Sequence, residues 1–208
     1  MEKSKVYFTK DISASSLIKM FDVLGKKLNG KVGVKISTGE KGNNNYLNPK
    51  LIKDLVSYVS GTIVECNTAY AGNRNTTALH LETIKEHGFL DIADVDIMDS
   101  DGDMKIPVNN GFHLKYNYVG SHLKNYDSIL MLSHFKGHPM GGFGGALKNM
   151  SIGVASSAGK AYIHTAGKTN EVEELWSNIA EQDDFLESMA DADQSVVDYM
   201  NGNIVYIN

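Results

Sequence analysis

Between His134 and Asn149 the chain places two histidines, two lysines and five glycines directly after an apolar run, Ser128-Ile-Leu-Met-Leu132. Glycine has no Cβ and reaches positive φ cheaply, so Gly141, Gly142, Gly144 and Gly145 would let backbone N–H groups approach a ligand that a bulkier loop excludes. Lys136 and Lys148 add positive charge, and a helix starting after Gly145 would add unsatisfied N–H donors. The chemistry this favours is binding of an anion, phosphate or carboxylate, with Lys148 and Asn149 among the ligand-binding residues. The same glycines would also suit close helix–sheet packing with nothing bound. Two familiar nucleotide loops are excluded. No Gly-Lys-Ser/Thr ending is present, and Leu147 stands where a dinucleotide fingerprint needs its third glycine after Gly142 and Gly144.

His134 and His138 are four apart, but Gly137 and Pro139 speak against a helix that would aim both at one metal. Three roles stay open for them: ordinary hydrogen bonding, proton transfer and metal ligation. For proton transfer the candidates are His138, His134, Lys136 and Glu40. For a metal they are His134, His138, Asp99 and Asp101. The run Asp99-Ser-Asp101-Gly-Asp103 fails as a calcium loop, because Met104 replaces the required glycine and Asn110 the closing glutamate.

Bulk composition narrows the classes. The chain has 208 residues, is 42% hydrophobic and carries a formal charge of −5. That is enough for one sizeable core, and the basic residues, of which Arg74 alone is arginine, are dispersed along it. Nucleic acid is not an expected partner. The single cysteine, Cys66, excludes an internal disulfide and leaves this polypeptide alone without the ligands of an iron–sulphur cluster; it reads as a buried strand residue. No uncharged apolar run approaches the about 18 residues of a membrane span, and Met1 to Phe8 does not look like a leader. The expectation is a cytoplasmic protein without membrane contact.

These residues need a frame, and the pattern supplies one. Apolar strands alternate with amphipathic helices, which predicts an α/β fold: a mostly parallel sheet flanked by helices, with an inserted β-hairpin and an acidic C-terminal helical segment. Strands are expected at residues 6–8, 32–36, 62–66, 94–98, 128–132 and 203–207. Leu17, Phe21, Leu24 and Leu28 recur at helical spacing, Asn48-Pro49 opens a second helix, and a third spans 77–87 with Gly88 as its stop. Asn110-Gly111 marks a hairpin within 104–118. A short helix is expected at 121–126 and another at 146–154, followed by a flexible, hydroxyl-rich turn at 156–164. Residues 171–200 are acidic and helical. The reading is one domain over 1–208, or a fragment of a longer chain.

In open parallel sheets ligands bind beyond the carboxyl ends of the strands. The polar residues collected there are Lys35 and Glu40 after one strand, Glu65, Asn67 and Arg74 after the next, Asp99 and Asp101 after the third, and the glycine-rich block after the fourth. Lys35, Asn67 and Arg74 join the ligand-binding candidates on this argument, and Lys160 joins them from the turn at 156–164, which is expected to face the same pocket.

Several segments then resemble one prokaryotic family: Lys35-Ile-Ser-Thr-Gly-Glu40-Lys-Gly42, Asn67-Thr-Ala-Tyr70-Ala-Gly72-Asn-Arg74, His87-Gly-Phe89, Lys136-Gly-His138, Gly144-Gly-Ala-Leu-Lys148-Asn149 and Gly159-Lys160. The chain is identified as a member of domain-of-unknown-function family 362, whose members are often called uncharacterised iron–sulphur-centre proteins. The resemblance implies a redox connection, and many relatives carry a cysteine-rich ferredoxin module after the position matching His164. Here an acidic helical stretch without cysteine stands in that place. Two readings survive: a redox-linked enzyme domain that binds an anionic ligand at the glycine-rich loop, and a non-catalytic ligand-binding or electron-transfer accessory domain. The expected partners are a small anionic ligand and, under the second reading, a redox partner protein; the cofactor is unknown.

Overall fold

The apolar runs form the sheet because each is too short and too β-branched for a helix and is bounded by polar turns. The computed structural model describes residues 5–208. In chain order its elements are α1 (Ala14–Val23), β1 (Val32–Lys35), α2 (Pro49–Tyr58), β2 (Thr62–Glu65), α3 (Thr77–Glu86), β3 (Val95–Ile97), β4 (Asp103–Pro107) and β5 (Tyr116–Gly120). There follow β6 (Ser128–Leu132), β7 (Lys136–His138), β8 (Gly142–Gly144), α4 (Ala146–Val154), α5 (Ser157–His164), α6 (Gln182–Tyr199) and β9 (Ile204–Ile207).

Five strands pair in the order β3-β2-β1-β6-β9, every neighbouring pair parallel. Successive side chains point to opposite faces, and the two cores follow that alternation. Val34, Ile63, Leu130 and Leu132 pack with Phe21 of α1, Leu55 of α2 and Ile84 of α3. Val64, Ile129 and Met131 pack with Met150 and Val154 of α4 and Val196 of α6. Each fully buried Leu or Ile contributes about 1.5–3 kcal/mol relative to exposure, so the double-sided core sets the layer order.

Side chains cap most helices. Ser13, Asn48, Thr76 and Ser156 accept hydrogen bonds from the first turns of α1, α2, α3 and α5, and Pro49 occupies the first turn of α2. Gly145, before α4, has no side chain with which to cap. The inserted hairpin pairs β4 with β5, and its loop is clasped to α6 by Asp191, which accepts from the backbone N–H groups of Phe112, His113 and Leu114 at 3.0, 2.8 and 3.0 Å.

Four expectations change. Residues 6–8 form no strand, and Val6 and Phe8 stand exposed; the Met1 to Ser4 part of the N-terminal reading lies outside the described residues. Helix α1 ends at Val23, where Gly25 turns at φ 61°, so Leu28 packs on the core from a loop. The expected turn at 156–164 is helix α5, because Ser156 supplies its cap and Ala161 and Ile163 bury. The glycine-rich block contains a small hairpin, β7–β8, whose turn needs a positive φ at Gly142. No helix among the described residues is long and apolar enough to cross a membrane.

Candidate functional site

The strand order reverses at β1: β2 and β3 extend the sheet to one side, β6 and β9 to the other. Loops leaving the carboxyl ends of β1 and β6 therefore diverge, opening a crevice where α/β sheets bind ligands. A cavity of about 410 Å³ occupies this place. Its floor is Lys35, Glu65 and Cys66 at the strand ends, its roof the β7–β8 hairpin and the start of α4, and its far wall Lys160 and His164 of α5. Tyr70 and Trp176, both exposed, flank it.

Glu65 organises the floor. It is buried, its Oε2 lies 2.7 Å from Lys35 Nζ, and its Oε1 accepts from the Thr38 backbone N–H at 2.8 Å and stands 3.6 Å from Arg74 Nη1. Burial pushes this carboxyl up, but Lys35, ahead of His80 and Arg74, brings it down to about 2. Arg74 also pairs with Glu40, which in turn accepts from the Tyr70 hydroxyl at 3.1 Å. Gly153 in α4 makes room for the lysine: a Cβ there would lie 2.7 Å from Lys35 Nζ.

Asn149 fastens the roof to the floor. Its Nδ2 donates to Lys35 O at 3.1 Å and Ser133 Oγ at 3.0 Å, and its Oδ1 accepts from Lys35 Nζ at 3.0 Å. One residue earlier, Lys148 lines the cavity. Burial, then the charges of Lys136, Lys160 and Lys35, lower its ammonium to about 8. Lys160 is buried, and its Nζ donates to Ala155 O at 2.6 Å. Burial lowers its affinity for a proton as well.

Three histidines line the cavity, and their partners fix two opposite tautomers. His138 Nδ1 accepts from the Gly141 backbone N–H at 3.0 Å, so its proton sits on Nε2. His164 Nδ1 lies 2.7 Å from Lys160 O, a group that only accepts, so its proton sits on Nδ1 and Nε2 carries a free lone pair. Burial first, then neighbouring lysines, hold both rings down to about 4, which keeps them neutral at pH 7. His134 Nδ1 is buried without a hydrogen-bond partner.

The model of the family described as Domain of unknown function (DUF362) matches residues 32–208. The chain belongs to the DUF362 family. That match takes in every strand of the sheet and every wall of the cavity, in agreement with the resemblance read from the sequence motifs. No curated protein and no solved structure matches the chain.

In this DUF362 chain the fold brings together Lys35, Arg74, His134, Lys136, His138, Gly144, Gly145, Lys148, Asn149 and Lys160 at one cavity. Others fall outside its lining. Glu40 stands behind Arg74, Gly141 and Gly142 form the tip of the β7–β8 hairpin, and Asn67 Oδ1 accepts from His80 Nδ1 across 3.3 Å. Asp99 is a clasp between loops, accepting from Asn67 N at 2.9 Å and Ser157 N at 3.3 Å, and Asp101 holds His122 Nε2 at 2.8 Å. Neither aspartate shares a ligand cluster with His134 or His138. Among the described residues the grouping with metal-ligand spacing is His113, Asp184 and Glu187 on the hairpin loop and α6, away from the cavity. Cys66 is buried one residue past β2, and burial pushes its thiol well above its ordinary value.

Sequence reasoning collected Glu65 at the carboxyl edge and His164 in the 156–164 turn but gave neither a role at the site. Glu65 was legible as a charged residue ending an otherwise apolar strand, a position at the carboxyl edge. His164 had a weaker signal: its cavity position follows from helix α5, which the run of serine, glycine and lysine concealed.

Proposed function

We propose that the cavity is an active site that binds a small phosphate- or carboxylate-bearing molecule and moves a proton on it. One observation carries this reading. Lys35, Arg74, Lys136, Lys148 and Lys160 line a single cavity in which, among the described residues, Glu65 is the lone carboxylate. Like charges gathered beside a water-poor wall repel each other, and an anion relieves the repulsion. The uncapped N-terminal turn of α4 adds backbone N–H donors and the positive end of its dipole.

The histidine tautomers give the two rings different roles. His164 presents an unprotonated Nε2 and accepts the proton; His138 presents Nε2–H and donates a hydrogen bond to the oxygen on which charge develops. Lys136 and the half-buried His134 complete the roof. Tyr70 and Trp176 beside the opening suit a ligand with an apolar or planar part next to its anionic group.

Thermal unfolding in graded inorganic phosphate, against chloride at matched ionic strength, tests the anion site. Stabilisation by phosphate is expected, and Lys136→Ala with Lys148→Ala should weaken it by roughly tenfold or more in apparent affinity, the value of losing charge-assisted contacts. Equal stabilisation of wild type and the double variant would refute the reading.

A further inference from the structure

Lys148 differs from the other cavity cations in what holds it. Lys35 Nζ is taken up by Glu65 and Asn149, Arg74 by Glu40 and Glu65, and Lys160 Nζ by Ala155 O. Among the described residues, no carboxylate or carbonyl engages Lys148 Nζ. Its backbone belongs to the first turn of α4, where the helix dipole and the neighbouring cations both disfavour an ammonium. An amine that is unpaired, inside a cavity and surrounded by like charge is the arrangement that makes lysine a nucleophile toward carbonyl carbon.

We infer that Lys148 forms an imine with an anionic aldehyde or ketone, the carbonyl group at Nζ and the phosphate or carboxylate on the cavity's remaining cations. This rests on the anion-binding reading and names the substrate class for it. The nitrogen lone pair attacks the carbonyl carbon, and the C=O π pair moves to oxygen, giving a carbinolamine. His164 Nε2 relays two protons in turn from nitrogen to that oxygen: the first completes the hydroxyl, the second lets it depart as water while C=N forms, and His138 Nε2–H donates a hydrogen bond to the oxygen throughout. Nitrogen loses two protons and oxygen gains two, so the net reaction is amine plus carbonyl giving imine plus water, with both rings left as they began.

Pyridoxal phosphate is the probe, with borohydride delivering hydride to the imine carbon to leave a stable secondary amine, located by peptide mass spectrometry. Labelling should concentrate on Lys148, rise with pH through about 8, and vanish in Lys148→Met with thermal unfolding still cooperative. Pyridoxal, which lacks the phosphate, should label Lys148 roughly tenfold less. Labelling spread over surface lysines, or centred on Lys160, overturns the inference. Calorimetric titration with pyridoxine phosphate, which carries the anion but no carbonyl, separates the two claims. Binding without Lys148 labelling overturns the imine and leaves the anion site standing, whereas absence of both overturns both.

Discussion

Asn149 grips Lys35 at both ends, donating from Nδ2 to its backbone carbonyl and accepting at Oδ1 from its ammonium. A residue in the first turn of α4 thereby fixes the strand end across the crevice at which the sheet order reverses. Replacement Asn149→Ala removes these bonds and the one to Ser133, leaving part-buried partners unsatisfied; a loss of about 2–4 kcal/mol is expected in urea unfolding. Asn149→Asp keeps the acceptor next to Lys35 but adds a carboxylate to the cavity. Its stability should fall less, while phosphate affinity falls more, and this opposite ordering is what paired unfolding and binding measurements would check.

The Lys35–Glu65 pair gives a second, sharper contrast. Both side chains are buried, at 1% and 3% exposure, so neither charge has water to fall back on. Glu65→Gln leaves Lys35 buried without a counter-charge, while Arg74 keeps Glu40, and should cost about 3–5 kcal/mol. Lys35→Met combined with Glu65→Leu removes the unpaired charge, and should recover much of that loss while abolishing the site's order. Urea unfolding of the two variants decides it: equal destabilisation would contradict the argument.

The fold was readable because burial writes a period into sequence. β6 is apolar at every position and is buried on both faces, as a central parallel strand must be, and Asn48-Pro49 announced the start of α2. Val6-Tyr7-Phe8 has the same local appearance as a strand but no partner, since strand existence depends on pairing that local composition does not encode. The cavity's cations were legible by one rule, the carboxyl edge of the sheet. Their partners were not. Which lysine is neutralised and which is left free depends on contacts such as Lys35 with Asn149, separated by more than a hundred residues in the chain.

His80, together with His138 and His164, lowers stability at mildly acidic pH. It is fully buried behind Glu65, and burial lowers its ring from the ordinary 6.5 to about 4. Between these values the unfolded chain binds a proton that the folded chain refuses, so stability is present above pH 6.5 and is lost as pH falls toward 4, by up to about 3 kcal/mol. Glu65 does not contribute to the upper part of this window, because its folded carboxyl protonates only near 2. Urea unfolding at pH 7 and pH 5 should show His80→Gln gaining stability relative to wild type at the lower pH; an identical pH dependence of the two would sink the assignment.

Asp193 acts with the opposite sign. It lies on α6 with Oδ1 buried and unpartnered, and burial raises its carboxyl from 3.8 to about 7. The folded chain therefore holds a proton that the unfolded chain releases, and stability is lost as pH rises from about 4 through 7. Asn in this position is uncharged at every pH and retains a similar shape. Asp193→Asn should accordingly raise stability above pH 7 by about 1–3 kcal/mol, the cost of an unsatisfied buried group or more, and leave it nearly unchanged below pH 4. Denaturant midpoints measured across pH 3 to 8 would show two curves that converge at the acid end and separate as the carboxyl ionises. Curves that run parallel would mean that Asp193 finds a partner in solution and that burial does not govern its proton.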